Sequence, residues 1–285
     1  MNAFELVEPR TIEDAFGFLR DADAGIRPMG GGTALMLMMK AQLFTPARLV
    51  SLRLIDELKG IRLDEAAGVC RIGAMTTFSE LENSKIIADR FPIVTRAMAD
   101  LANVRVRNVA TVGGNIAHGD PHLDLPPIWT ALDVEVVLRS AAGRRVAPIQ
   151  DIFAGYYATT ISDGELISEI RVPLRPNRRA TYVKVTTRAI HDWPALGISI
   201  AVTVQDGRFK DARLVLSAAV DRPTRLFAAE AALEGGNDIE AAITAAALAA
   251  AIDVEMESDA RGSVDFKKQL LRVHLTRALR NLVRE

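Results

Sequence analysis

The chain has 285 residues, 49% of them hydrophobic, and contains 35 lysines and arginines against 36 aspartates and glutamates. This length suits two domains rather than one, and the apolar content is enough for a packed core. Because the charges nearly cancel, the composition predicts no nucleic-acid partner and no attraction to a membrane surface.

The N-terminal segment predicts a small α/β lobe. A short strand near Phe4 to Val7 precedes a helix started by Thr11, where Glu13 and Asp14 are favourable in the first turn. The segment has no basic region followed by an apolar one, so it does not read as a secretion signal, and no window reaches transmembrane length. We therefore expect a cytoplasmic protein with no transmembrane segment.

The first glycine-rich segment is Ile26 to Lys40, IRPMGGGTALMLMMK. A short apolar strand runs into Gly30, Gly31 and Gly32, and Thr33 stands where a helix would begin. A strand, a glycine loop and a helix start direct backbone amides and a helix dipole at a pyrophosphate. The GxGxxG spacing of a Rossmann fold and the GK[ST] of a Walker loop are absent, which indicates another dinucleotide fold.

The following segment predicts a hairpin and two helices. Two apolar runs flank a turn at 66–68, Thr77 caps a helix, and another helix follows Pro92. The only cysteine, Cys70, lies in this hairpin, so the chain can form no internal disulfide and ligate no cysteine-bound cluster. The four histidines are too scattered for a helix-borne pair, and we expect no protein-bound metal.

The second glycine-rich segment, residues 101–129, reads LANVRVRNVATVGGNIAHGDPHLDLPPIW. We expect a strand over Val104 to Val109, then the pair Gly113-Gly114 and a polar stretch closed by Asp124. Paired glycines let the backbone approach a bulky ligand, while threonine and asparagine add hydrogen bonds. The alternative is a glycine turn that caps a helix starting near Asp124.

The remaining chain predicts strands followed by helices. Prolines and cations at 173–179 are typical of a domain boundary. Beyond it, the pattern predicts an α+β domain whose strands lie near 181–186, 197–204 and 212–218 and whose helices lie near 226–233, 239–252 and 266–283.

Taken together, GGGTALMLMMK and NVATVGGNIAHGDPHLDLPP resemble the FAD-binding medium subunit of the molybdenum hydroxylases, the group that contains xanthine dehydrogenase and carbon monoxide dehydrogenase. The similarity extends through residues 164–173 and 181–202, so it covers nearly the whole chain. It implies an α+β fold with a two-lobed FAD-binding domain of the vanillyl-alcohol-oxidase (PCMH) type over residues 1–176, with lobes of about 1–57 and 58–176. A smaller α+β C-terminal domain, 177–285, would contain a three-stranded antiparallel sheet plus helices.

The resemblance also implies a non-covalent FAD site and no catalytic residue. The first loop would wrap the pyrophosphate, and the second would hold the flavin and its phosphates. Asp124 would accept hydrogen bonds from ribose or adenine, and Ile167 and Lys184 would touch the isoalloxazine or adenine. The implied cofactor-binding residues are Pro28, Met29, Gly30, Gly31, Gly32, Thr33, Ala34, Ala102, Ala110, Thr111, Gly113, Gly114, Asn115, Ala117, Asp124, Ile167 and Lys184.

By the same resemblance, the chain is an oxidoreductase subunit that carries electrons. It would take them from [2Fe-2S] clusters of a small subunit and pass them to an external acceptor such as NAD, a quinone or a cytochrome. The molybdenum cofactor would lie in a large subunit, in a dimer of heterotrimers. The alternatives are a stand-alone FAD oxidoreductase of the vanillyl-alcohol oxidase type and a non-redox assembly protein. Neither the substrate of the complex nor its acceptor can be read from this chain.

Two motifs allow a second interpretation. His118 could modulate the protonation of reduced flavin, because imidazole titrates near neutrality, or bond a backbone carbonyl as an ordinary loop residue. Tyr156 and Tyr157 could stack near a flavin, but we prefer a role in anchoring their loop, and they are left outside the predicted site.

Two charged motifs also have alternatives. The motif His191-Asp192-Trp193 could relay protons between an acid and an imidazole. Adjacent residues in a strand point to opposite faces, however, so we prefer a structural role at a corner between strands. Four arginines could dock an acidic small subunit, although exposed arginines usually serve only solvation: Arg105, Arg107, Arg178 and Arg179.

Overall fold

A computed structural model describes residues 2–20, 25–189, 191–236 and 238–284. Residues 5–51 form a unit with a three-stranded parallel sheet in the order β1-β3-β2. Thr11 caps the first helix by accepting a hydrogen bond of 3.1 Å from the Asp14 amide, as predicted. The elements are β1 Glu5–Val7, α1 Ile12–Leu19, β2 Ile26–Met29, α2 Thr33–Lys40 and β3 Arg48–Ser51.

Residues 61–173 form a second unit, an antiparallel sheet of five strands in the order β4-β5-β10-β6-β7. Helices cover this sheet, and the fully buried Trp129 lies in the shared core. The elements are β4 Ile61–Asp64, β5 Val69–Gly73, α3 Phe78–Asn83, α4 Lys85–Arg90, α5 Pro92–Met98, α6 Val104–Arg107, α7 Val112–His118, α8 Leu125–Ala131, β6 Glu135–Ser140, β7 Gly143–Pro148, β8 Phe153–Gly155, β9 Ala158–Thr159 and β10 Leu166–Pro173.

The strand expected at Val104 to Val109 is wrong, because these residues begin with the short helix α6. Alternating valine and arginine has the period of a half-buried strand. However, the Asn103 side chain caps a helical turn by accepting from the Val106 amide at 3.1 Å. Arg107 then turns back and donates to the carbonyls of Leu101 and Ala102 at 3.1 and 2.9 Å. These local hydrogen bonds stabilise a helical turn and so outweigh the preference of the alternating pattern for a strand.

Residues 178–284 form a third unit, in which helices pack on an antiparallel sheet. The sheet has four strands, in the order β11-β12-β13-β14, and not the three that were predicted. Its extra strand has only two residues, too few to show a period in the sequence, and Arg225 within it bonds the buried Glu230 at 3.0 Å. The elements are β11 Arg178–Val185, β12 Leu196–Gln205, β13 Arg208–Ser217, β14 Thr224–Arg225, α9 Phe227–Gly235, α10 Ile239–Ile252 and α11 Val264–Arg284.

Two sequence-level expectations concern metal and membrane binding. Cys70 is fully buried, and burial raises the pKa of its thiol to about 11, so it packs as an apolar side chain. Within the described ranges, no three His, Cys, Asp or Glu side chains are grouped as a metal site. Nor does any helix in those ranges combine the length and the apolar character needed to cross a bilayer.

Asp133 joins the second and third units through charge. Its carboxylate accepts from Arg178 Nη1 at 2.8 Å and from Arg213 Nε at 2.7 Å, and the Arg178 side chain is only 3% exposed. Burial acts to raise the pKa of Asp133, but the two guanidiniums hold it below its usual value. The junction is therefore held by charge pairing in which the buried Arg178 depends mainly on the Asp133 carboxylate, with the Asp211 carboxylate farther away at 3.9 Å.

Replacing Asp133 with asparagine should destabilise the fold, because the amide accepts through only one oxygen and leaves an arginine underpaired. We expect the free energy of unfolding to fall by about 1–3 kcal/mol, the range for a lost hydrogen bond to a charged group. Urea unfolding measures it. Asparagine tolerates the positive φ of 55° at this position, which an alanine substitution would strain.

The matched control is Asp163→Asn at an exposed residue, which should leave the midpoint unchanged. Equal midpoints for the two variants would contradict a role for Asp133 in holding the units together.

Candidate functional site

The first glycine loop joins β2 to α2. Gly32 has a φ of 70° and is the N-cap of α2, where a glycine avoids the strain that a side chain would cause. The first amides of α2 have no partner within the helix, and no side chain of the described residues caps them. They form a positive end suited to an anion.

The second glycine loop is braced against the end of β5. The amides of Val112 and Gly113 donate to the carbonyls of Thr76 and Ala74 at 3.0 and 2.8 Å. Thr111 caps α7, and its hydroxyl accepts from the Gly114 amide at 3.2 Å. A Cβ on Gly113 would lie 2.7 Å from the Cβ of Ala74, so this glycine allows the loop to sit against the sheet.

The two glycine loops contact each other. A Cβ placed on Gly30 would lie 2.6 Å from Thr111 Oγ1 and 3.8 Å from the Cα of Gly114, and one placed on Gly31 would collide with the Val109 carbonyl. The loops therefore converge as expected, but the glycines have a second role. They remove the side chains that would keep the two loops apart.

A cleft of about 460 Å³ opens where the loops meet. Fifteen of the seventeen predicted residues line it; the exceptions are Gly113, which packs on Ala74, and Ile167, which lies within β10 and is buried in the core of the second unit. The lining includes both loops together with Ala102, Asp124 and Lys184.

The cleft has unused hydrogen-bonding groups that suit a dinucleotide. Oδ1 of Asn115 is buried without a hydrogen-bond partner among the described residues, and Asn115 lines the cleft beside Gly114. Buried polar atoms without a partner are unfavourable, so this oxygen is suited to a donor on a ligand. With the α2 amides and an opening left by glycines, the residues present fit FAD.

The family model described as "FAD binding domain in molybdopterin dehydrogenase" matches residues 2–175. A second, described as "CO dehydrogenase flavoprotein C-terminal domain", matches residues 181–282. The chain belongs to the FAD-binding medium subunits of the molybdenum hydroxylases. It is thus an oxidoreductase subunit with an FAD-binding domain, and the α+β fold class predicted above is confirmed.

Curated relatives and solved structures agree with this family. The chain is 34% identical to the carbon monoxide dehydrogenase medium chain of Afipia carboxidovorans, over 97% of this chain and 96% of the relative. Carbon monoxide dehydrogenase from Hydrogenophaga pseudoflava matches with a TM-score of 0.93 and 34% identity, covering 98% and 96% of the two chains. Quinoline 2-oxidoreductase from Pseudomonas putida 86 matches with a TM-score of 0.92 and 27% identity, covering 99% and 98%.

In this medium subunit, Asp124 binds two side chains of β11 from across the cleft. Tyr182 donates its hydroxyl to Oδ1 at 2.8 Å, and Lys184 Nζ lies 3.0 Å from Oδ2 and 3.3 Å from the carbonyl of Asp100. Burial raises the pKa of the Asp124 carboxyl, while the Lys184 ammonium and the Tyr182 hydroxyl oppose the rise. The predicted ligand acceptor is thus already engaged in joining β11 to the cleft.

One wall of the cleft is formed by rings that the predicted site did not include. The rings of His122 and Trp193 stack with centroids 4.9 Å apart and planes at 13°, and Arg261 lies 5.6 Å from the Trp193 ring centroid. His122 lies in the polar stretch of the second glycine-rich segment, so its position in the sequence was a usable signal. Trp193 comes far later, and only the tertiary fold brings the two rings together.

His118 and Tyr157 form a second ring pair in the cleft, edge to face at 5.3 Å. Burial lowers the pKa of His118, and the nearby Asp120 opposes this shift. The hydroxyl of Tyr156 instead donates to Glu257 at 2.6 Å, so the two tyrosines have separate roles. The proposed influence of His118 on flavin protonation stays a hypothesis.

Most charged motifs have internal partners. Arg107 bonds Glu82 at 3.0 Å besides its two carbonyls, and Arg178 is buried against Asp133, so neither is an exposed docking charge. Arg179 donates to the Leu282 carbonyl near the end of α11 at 2.6 Å. Of the motif at 191–193, His191 Nδ1 lies 3.4 Å from the Asp100 carbonyl oxygen, and all three residues line the cleft.

Replacing Gly31 with alanine should separate the two loops, because the new Cβ would collide with the Val109 carbonyl. We expect the purified chain to lose most of its flavin, measured as visible absorption relative to protein. The control is Gly17→Ala in α1, where a Cβ would meet no other atom of the described residues within 4 Å. That variant should keep its flavin and gain up to about 1 kcal/mol from helix propensity. Full flavin in Gly31→Ala would contradict the loop contact.

A second prediction concerns pH. Because the pKa of His118 is lower in the folded state than its ordinary value of 6.5, the unfolded state binds more protons as the solution is acidified. The contribution of neutral His118 to the free energy of unfolding is therefore complete above pH 6.5 and is lost as the pH falls below that value.

The His118→Gln variant should therefore lose less stability than the wild type between pH values of about 7.5 and 5. Urea midpoints across this range measure the difference. Parallel curves for the two proteins would contradict a buried, neutral His118.

Proposed function

We propose that this chain is the electron-transfer subunit of a molybdenum hydroxylase, taking electrons from iron–sulfur clusters of a small subunit and passing them to an external acceptor. The observation that carries the proposal is the convergence of the two glycine loops on a cleft with unpartnered donors and acceptors. The family supplies the assignment to a medium subunit.

Within this proposal, the protein binds and positions the flavin. The α2 amides and the Gly114 region would hold the pyrophosphate, and Asn115 Oδ1 would accept from the cofactor. The His122–Trp193 wall would limit water in the cleft. Bound FAD supplies the redox chemistry, whereas the protein supplies orientation and electrostatics. No described residue has to act as a general base in this scheme.

The partners follow from the relatives. Relatives named as a medium chain or a medium subunit are parts of multi-subunit enzymes, among them the nicotine 6-hydroxylase of Paenarthrobacter nicotinovorans. We propose a large subunit with the molybdenum cofactor and a small subunit with [2Fe-2S] clusters, in a cytoplasmic dimer of heterotrimers. We also propose domain limits at 1–176 and 177–285, which the limits of the family models support.

Two alternatives make different predictions. A stand-alone flavoenzyme would turn over its own substrate without partners, and a non-redox assembly protein would purify without flavin. The chain covers 96% of the carbon monoxide dehydrogenase medium chain of Afipia carboxidovorans, which favours the subunit over the stand-alone enzyme. Visible absorption of the isolated chain, the mass of the native complex and its metal content separate the three.

The Gly31→Ala variant tests electron transfer in the intact complex. The partner subunits should keep their molybdenum and iron, and dithionite should still bleach the clusters. Reoxidation by NAD, a quinone or cytochrome c, whichever serves the wild type, should slow by at least about tenfold, because the route through this subunit is lost. A variant complex that lacks flavin yet reoxidises at the wild-type rate would refute the proposed role.

A further inference from the structure

A second cavity, of about 300 Å³, opens at the junction of the second and third units. It lies within the size range of small-ligand sites. Among the described residues, none that lines it also lines the cleft between the glycine loops. A ligand here would therefore not displace the cofactor.

Only some of the arginines at this cavity have a carboxylate partner among the described residues. The five arginines that line it are Arg90, Arg96, Arg175, Arg178 and Arg179. Arg178 and its neighbour Arg213 are balanced by Asp133 and Asp211. Arg90 reaches Glu65 at 3.4 Å, and both side chains are largely exposed. That leaves an excess of three positive charges on the remaining arginines.

These three arginines bind no carboxylate within the described ranges of the chain. Arg96 donates to the Ala180 carbonyl at 2.8 Å, and Arg179 donates to backbone carbonyls of α11. The Arg175 side chain has no hydrogen bond or ion pair to any other described residue. Guanidinium groups bind carboxylates and phosphates in a fixed, bidentate geometry, so three arginines that have no carboxylate partner at one cavity favour an anion.

The buried part of the cavity also favours an anion. Arg178 lines it with a side chain only 3% exposed, and its Nε has no hydrogen-bond partner among the described residues; the Asp211 carboxylate lies 3.9 Å away. A buried donor left unpaired is unfavourable. A ligand oxygen in the cavity would remove that penalty.

The other lining residues are apolar. Phe91, Ile93 and Leu132 are buried, at most 7% exposed, and line the cavity together with prolines. Such walls exclude water and strengthen the attraction between arginine and an anion. They also favour a ligand with an apolar body over a fully hydrated inorganic ion.

We propose that this junction cavity, defined by the five arginines, binds a small organic anion that carries a carboxylate or phosphate on an apolar body. The chemistry common to both groups is recognised by Arg96, Arg175 and the unpaired Nε of Arg178, and the apolar body rests on Phe91 and Leu132. The ligand contacts both units, so its binding should stabilise their junction.

Equilibrium binding to the FAD-loaded full chain tests the proposal, with phenyl phosphate, phthalate and inorganic phosphate as probes. We expect phenyl phosphate or phthalate to bind more tightly than inorganic phosphate and to raise the melting temperature. Arg175→Gln and Arg96→Gln should each weaken that binding by about tenfold, the effect of losing one hydrogen bond between charged groups.

The matched control is Arg144→Gln, at an exposed arginine of β7 far along the sheet from the cavity, which should bind like the wild type. Flavin absorption of each variant shows that it has folded and kept its cofactor. Failure of the anion-binding proposal can therefore be distinguished from failure of the proposed function. Unchanged binding in both cavity variants would overturn the proposal. Binding to the isolated chain that disappears in the assembled complex would also overturn it, because a partner side chain would then occupy the cavity.

Discussion

The structure depends on the backbone contact between the two glycine loops. At Gly31 the carbonyl of Val109 occupies the space that any side chain would need, and at Gly30 the same is true of the Thr111 hydroxyl. Because the loops belong to different units, this contact sets the distance between the first and second units. The cleft and its unpartnered groups exist only while that distance is kept.

The third unit completes the cleft through two carboxylates. Asp124 binds Tyr182 and Lys184, and Asp133 binds Arg178. Both carboxylates therefore bind side chains of the same strand, β11. Each carboxylate lies next to a helix or turn of the second unit, and each faces cations that are largely buried. Buried charges are favourable only when they are paired, which makes the position of β11 specific as well as stable. The C-terminal part is therefore a wall of the cofactor site and not an appendage.

Arginine has different roles along this junction. Arg107 and Arg178 hold loops and carboxylates inside the protein, whereas Arg96 and Arg175 line the second cavity and bind no carboxylate among the described residues. What separates structural from available cations is the carboxylate that the fold places within reach, Glu82 for Arg107 and Asp133 for Arg178.

The sequence by itself determined both glycine loops, the caps at Thr11 and Thr77, and the order of strands and helices in the third unit. These features depend on residues close together in the chain, where backbone conformation, capping and alternation act locally. It was wrong at Val104 to Val109, where arginine bonds to nearby carbonyls overrode a strand period, and it missed the two-residue β14. Only the tertiary structure decided that Trp193 stacks on His122, that Ile167 lies in the core and that five arginines share a cavity. Those contacts join residues far apart in the chain, and their free energy comes from packing and charge pairing that no local pattern records.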